Sequence, residues 1–282
     1  MKVKPAENNF ATVLRHFFCQ RLIAQRNASP QTIASYRDTF RLLFGYMQAE
    51  LKKEPATLQA IDLNAGAVLK FLDYLEEKRG NTERSRNLRL AAIRSFMQYA
   101  SHRLPDDLAT IQEVLAIPVK RFDRPLLGFL SREEMEGIIA APDTKTFSGH
   151  RDFVMLLMLY NTGARVSEIV ALRVNDICRQ NGTSLLIHGK GRKQRTVPLW
   201  KNTAKHLDQW LERLAPAPTT PIFPNRGGDP LTRSGVEFRL QLAVQKASEH
   251  FPALEKRRIS PHILRHTTAM HLLQSGVDIT VI

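Results

Sequence analysis

Acidic side chains are the scarce class in this chain. Its 282 residues carry 27 Asp and Glu against 41 Lys and Arg, a formal net charge of +14 with a pI near 10.1. That imbalance disfavours cationic partners and predicts attraction to a polyanion, most simply nucleic acid. Cysteine is almost missing. Cys19 and Cys178 lie far apart and form no CxxC pair, so neither a disulfide framework nor a zinc site is indicated. Long apolar runs are missing as well: the strongest, Phe153 to Tyr160, is too short to span a bilayer. The N-terminus has no basic end, apolar block and small-residue cleavage site in the order of a signal peptide. The expectation is a cytoplasmic protein with no membrane partner.

What is present is mostly helical pattern, over a length comfortable for two domains. Phe10, Val13, Leu14, Phe17 and Phe18 recur at helical spacing, and Ser29-Pro30 caps a second helix carrying Ile33, Tyr36, Phe40, Leu43 and Phe44. Val68, Leu69, Leu72 and Leu75 mark a third helix, and Leu88, Ala92, Phe96 and Tyr99 a fourth. Arg84, Arg86, Arg89 and Arg94 surround that last apolar stripe. Residues 1–104 hold 17 basic and 9 acidic side chains, net +8. One of these helices suits a major groove, its arginines on phosphates and base edges; a solvated basic face is the other reading.

The pattern breaks at Leu104-Pro105-Asp106-Asp107. The stretch from Ile117 to Pro125, containing Lys120 and Arg121, reads as extended, basic and punctuated by proline, suited to lie along a DNA backbone. Residues 105–126 are read as a linker. Ser131-Arg132-Glu133-Glu134 is a capping-box signature that opens a second domain, 127–282. Within it an apolar helix from His150 to Tyr160 stops at Asn161-Thr162-Gly163, and a new helix begins around Ala164. That helix carries Arg165 and Glu168 at i, i+3, either as an ordinary surface ion pair or with Glu168 turning Arg165 toward a ligand.

From Val174 to Leu199 the period switches to alternation. Strands are expected at 174–177, 184–188 and 195–199, the last two joined by a hairpin turn, Gly189-Lys190-Gly191-Arg192-Lys193. This turn is no phosphate-binding P-loop, because Gly191 follows the lysine where Ser or Thr should stand. Lys190, Arg192 and Lys193 there suit a minor groove or a phosphate, or else a solvated turn. Trp200, Trp210 and Phe238 are read as core or packing residues. Last, Ser260-Pro261 reads as an N-cap with proline at the first helical position, putting His262 and Arg265 on one face within two turns. A histidine and an arginine at a helix N-terminus make a phosphate site or a capped surface helix with incidental charge.

Arginine on a helix, lysine on a hairpin, then HxxR: this order resembles the tyrosine recombinase (phage integrase) family. Thr162 to Glu168 is similar to its first arginine box, Gly189 to Lys193 with Thr196-Val197-Pro198-Leu199 to its lysine hairpin, and Ser260 to His266 to its second box. Residues 1–104, with Ser29-Pro30-Gln31-Thr32 and Tyr36, resemble its helical core-binding domain. The resemblance implies a mainly α protein: a helical DNA-binding domain, then a mostly helical catalytic domain with a small three-stranded antiparallel sheet. It implies double-stranded DNA as partner, a tetrameric synapse of like chains, and strand exchange through a 3′-phosphotyrosyl link that needs neither ATP nor a metal. Arg165 and Arg265 would clamp the non-bridging oxygens, their forks being planar and permanently charged. Lys190 would protonate the departing 5′ oxygen, His262 would orient the phosphate or shuttle a proton, and Glu168 would hold the site.

One departure stands out. The family's nucleophile is a tyrosine beyond the HxxR helix, yet all five tyrosines, Tyr36, Tyr46, Tyr74, Tyr99 and Tyr160, precede the first arginine box. The expectation is a recombinase chain truncated before its nucleophile and inactive alone. The alternatives are a catalytically inactive DNA-binding or regulatory remnant, and a type IB topoisomerase, against which the N-terminal helical domain argues.

Overall fold

The computed structural model describes residues 9–123, 128–189 and 193–281. They fall into two compact units, divided between Arg124 and Pro125. The first unit is all helix: α1 (Phe10–His16) running into a π-helix (Phe17–Gln25), α2 (Pro30–Leu51), α3 (Ala65–Glu77), α4 (Glu83–Ala100) and α5 (Leu108–Ala116). Each helix start has a local cause. Asn9, Ser29, Asn64 and Thr82 each accept a hydrogen bond from the backbone three residues on, replacing a partner that the first turn lacks. The core gathers on Phe96 of α4, which meets Phe10, Phe17 and Phe40 edge to face at centroid distances of 5.6, 5.5 and 5.4 Å.

Two details differ from the sequence reading. Leu69 and Leu88 are exposed, and Phe71 and Leu90 are buried beside Val68, Leu72 and Leu75 of α3 and Ala92, Phe96 and Tyr99 of α4, which lie in the core as expected. Residues 105–116, read as the first part of a linker, form a 3-10 turn and α5, whose Ile111 and Val114 are fully buried in this unit's core. The stretch from Ile117 is free of helix, as its sequence reads.

The second unit comprises α6 (Arg132–Ala140), α7 (Phe147–Thr162), α8 (Val166–Ala171), β1 (Ile177–Cys178), β2 (Ser184–His188), β3 (Gln194–Pro198), α9 (Lys201–Leu214), α10 (Arg233–Ala247) and α11 (Pro261–Gln274). The capping box at Ser131 and Glu134 is formed as its sequence requires. The strands make one antiparallel sheet in the order β1-β2-β3, with Leu186 opposite Thr196. Alternation on β2 buries Leu185 and Ile187 in a core shared with α7, α9 and α10. Val174–Asp176 is a 3-10 turn rather than strand: the Asp176 carboxylate accepts from the Arg173 backbone and caps it, and the Val174 and Asn175 N–H groups donate to the Thr220 and Pro218 carbonyls. Trp210 is fully buried and donates to the Ile222 carbonyl; Trp200 is exposed yet packs edge to face against Tyr160 at 5.4 Å, and Phe238 is exposed outside the core. No helix among the described residues is long and apolar enough to cross a membrane.

Candidate active site

The site is assembled where α7 ends. Gly163 stops that helix with φ +55°, a left-handed conformation that glycine adopts without the Cβ penalty. Two residues later Arg165 is the N-cap of α8. Its backbone N–H donates to Glu168 Oε2 at 2.9 Å, and its guanidinium Nη1 donates to Oε1 at 3.0 Å. One carboxylate thus caps a helix and fixes the arginine that precedes it. The i, i+3 ion pair is formed but is not an ordinary surface one: Glu168 is only 4% exposed at its side chain, whereas Arg165 is 55% exposed.

A second arginine reaches the same carboxylate. Arg195 on β3 donates through Nη2 to Glu168 Oε2 at 2.8 Å and keeps 38% of its side chain exposed. Burial alone would raise the Glu168 carboxyl. The hydrogen bond from Arg195, with those from the Arg165 backbone and side chain, outweighs burial and brings it to about 2. Glu168 therefore stays ionised, and one anion is shared by two cations.

Arg265, on the second turn of α11, is half-buried and donates from Nη1 to the Gly163 carbonyl. Burial, and then the charge of Arg165, lowers its affinity for a proton; Glu168 offsets part of this and Arg195 adds to it. The four side chains feel one another, three of them positive and one negative. Such surplus positive charge, with partly open guanidinium forks, favours an oxyanion. α11 is fixed beside α7 by Thr268, whose hydroxyl donates to the Tyr160 and Leu264 carbonyls. His262 is exposed in the first turn of α11, one turn before Arg265.

Lys190 and Arg192 lie outside the described residues. Their flanks do not: the Gly189 N–H donates to the Lys193 carbonyl at 2.7 Å, and a Cβ added at Gly189 would come 3.5 Å from Glu168 Oε1. The hairpin base therefore abuts the arginine cluster, with Lys193 exposed. Arg195 is the residue that sequence reasoning missed. It stands two residues past the basic turn and reads there as an ordinary member of an alternating strand.

The candidate DNA contacts of the first unit divide. Arg84 and Arg121 are exposed. Arg89 donates to the Ser35 carbonyl and Thr39 hydroxyl, and Arg94 to the Ile117 carbonyl at 3.5 Å. Arg86 is buried, its Nε 3.3 Å from Glu76, and from there it cannot serve as a groove-facing arginine. Lys120 also pairs with Glu76, while Asn87 takes both the backbone N–H and the carbonyl of Lys120.

Two family descriptions match this architecture. The phage integrase family covers residues 128–282, and the phage integrase N-terminal SAM-like domain covers residues 16–103. The chain belongs to the phage integrase family. The integrase/recombinase y4rC of Sinorhizobium fredii is 46% identical over 274 residues, 97% of this chain and 82% of that protein. The tyrosine recombinase XerD of Listeria innocua is 32% identical, over 93% of this chain and 85% of its own length. Among solved structures, the Tn1549 transposon integrase in complex with a circular intermediate DNA superposes with a TM-score of 0.69 at 15% identity, covering 95% of this chain and 89% of that one. Lambda integrase bound to DNA gives 0.66 at 17%, covering 97% and 90%. At such identity these two speak to the integrase fold alone.

Proposed function

We propose that this integrase-family chain binds double-stranded DNA and serves site-specific recombination by strand cleavage and rejoining, with Arg165, Arg265 and Glu168 forming its phosphate site. The observation that carries the reading is the shared carboxylate. Glu168 holds Arg165 and Arg195 at once, beside an Arg265 anchored on the Gly163 carbonyl. Nothing in folding requires three arginines to converge with one anion between them, and a scissile phosphate would supply the missing charge. In strand cleavage a tyrosine oxygen bonds to phosphorus as the bond to the 5′ oxygen breaks. Negative charge rises on the non-bridging oxygens, where arginine forks stabilise it. We assign Lys190 the proton that the 5′ oxygen takes up, and His262 the orientation of the phosphate. Arg84, Arg121 and Lys193 are the exposed cations best placed by their freedom to meet DNA backbone. We place this work in the cytoplasm, on DNA, with like chains gathered in a synapse.

Within the 282 residues no tyrosine follows Tyr160. Tyr160 is itself committed: its hydroxyl is 2.7 Å from His271 Nδ1, and His271 Nε2 donates to the Leu130 carbonyl at 2.9 Å. A carbonyl only accepts, so Nδ1 of a neutral His271 is the acceptor and the tyrosine hydroxyl the donor. The residues present would hold and polarise a phosphate, and Tyr160, engaged with His271, would not serve as its nucleophile.

The test uses a version of the chain that runs on past Ile282 to a tyrosine. There, Arg165→Ala or Arg265→Ala is expected to lower cleavage of a nicked suicide substrate by about 10²–10³, the cost of one transition-state oxyanion donor. DNA footprints should change far less. Full cleavage in either variant would refute the assignment.

A further inference from the structure

The base of the β2–β3 hairpin is held on both of its faces. Residues opposite one another in an antiparallel pair put their side chains on the same side, so Ile187 with Arg195 and His188 with Gln194 belong to opposite faces. On the inner face Ile187 is fully buried and Arg195 donates to Glu168. The outer face carries a second set of contacts, with no part in that cluster. His188 Nε2 lies 3.3 Å from Asp176 Oδ1, and its Nδ1 lies 3.2 Å from Gln194 Nε2. A carboxylate only accepts, so Nε2 bears the hydrogen, and Nδ1 of the neutral ring accepts from the Gln194 amide. Carboxylate, imidazole and amide thus form one chain with one tautomer.

The far end of that chain is fixed outside the hairpin. Asp176 is 14% exposed at its side chain, and its other oxygen, Oδ2, accepts from the Arg173 N–H at 2.8 Å. The turn behind it is tied by the Val174 and Asn175 N–H groups to the Thr220 and Pro218 carbonyls. Stability gives little reason for the outer contacts: His188 is 52% exposed, and exposed pairs of this kind add little to it. What they fix is direction. His188 and Gln194 are the last paired residues before the turn, and Lys190 follows His188 by two positions.

We infer that His188 is a positioning residue for proton transfer to the departing 5′ oxygen: through Asp176 and Gln194 it fixes the base of the hairpin from which Lys190 works. The inference rests on the assignment of that proton to Lys190 above. In the step, the tyrosine oxygen bonds to phosphorus, the bond from phosphorus to the 5′ oxygen breaks, and that oxygen takes a proton from the lysine ammonium. A general acid contributes about 10²–10⁴ to such a step, and only when held within hydrogen-bond reach. Sulfur in place of the 5′ oxygen removes the need for the acid, because it departs as a thiolate.

The test uses the chain extended past Ile282 to a tyrosine. It compares two nicked suicide substrates, alike but for oxygen or sulfur at the 5′ bridging position of the scissile phosphate. His188→Ala replaces an exposed side chain, so folding should survive, and circular dichroism checks it. It is expected to slow cleavage of the oxygen substrate by about 10- to 100-fold, less than the whole worth of the acid, and to leave the sulfur substrate within about twofold. His188→Gln keeps an N–H toward Asp176 and should recover most of the loss. Gln194→Ala, on the facing strand, should repeat the pattern more weakly. Equal slowing of both substrates by His188→Ala would show a merely structural role, and slowing of neither would show none; each overturns the inference. Lys190→Ala is the control. If sulfur fails to restore its cleavage, the proton assignment itself falls and takes this role of His188 with it, a failure told apart because it appears with His188 intact.

Discussion

Glu168 is the residue on which the site's electrostatics turn. A buried carboxylate ordinarily holds its proton more tightly, and this one is brought to about 2 because two arginines and a backbone N–H bond to it. The consequence for stability has a definite sign. The folded value lies below the unfolded one, so the contribution is complete above roughly pH 4.3, the ordinary glutamate value, and disappears as pH falls toward about 2. Arg195→Ala removes the strongest of the lowering interactions. The Glu168 carboxyl, followed by carbon NMR through an acid titration, should then move up from about 2 toward the ordinary range, and acid unfolding should begin at higher pH. A titration that stays where it was would show that Arg195 is a bystander. Arg195 also marks a limit of sequence reading. Its bond to Glu168 crosses 27 residues, from a strand to a helix, and no local rule links the two positions. Arg165 and Glu168, three apart on one helix turn, were legible because the capping geometry is local.

At the scale of elements, the junction of α7 and α8 does more than end a helix. The left-handed turn at Gly163 presents its carbonyl to Arg265 and sets Arg165 as the next N-cap. A Cβ there would meet Thr268 at an ordinary 3.5 Å, so the cost of replacement is conformational rather than steric. Gly163→Ala should destabilise the second unit by about 1–2 kcal/mol, the price of a left-handed alanine, with Gly163→Asn milder. Denaturant unfolding of the chain measures this, and a neutral Gly163→Ala would contradict the account. Elements were readable wherever their ends carry local chemistry: Ser29-Pro30, Ser131 with Glu134, and Ser260-Pro261 all start helices as expected. They were misread where tertiary contacts decide. Val174 to Asp176 alternates like a strand but is turned and held by backbone bonds from Val174 and Asn175 to the Thr220 and Pro218 carbonyls, and residues 108–116 follow two acidic residues and a proline yet fold onto the first core.

For the whole molecule, the positive charge seen in composition resolves into unlike populations. Arg86 is a core residue paired with Glu76, Arg89 and Arg94 tie helices together, and Arg84, Arg121 and Lys193 are left free at the surface. Composition predicts a polyanion but cannot say which cations meet it, because burial and pairing are set by residues distant in sequence. The central proposal is that Arg165, Arg265 and Glu168 hold a phosphate for strand cleavage and that none of the five tyrosines among these 282 residues attacks it. The direct measurement is to incubate the purified chain with duplex DNA carrying its recombination site, denature, and look for protein covalently joined to DNA. The account predicts DNA that is bound before denaturation, intact after it, and free of adduct. It would be contradicted by an adduct formed by this chain alone and mapped to one of its own residues, Tyr160 included.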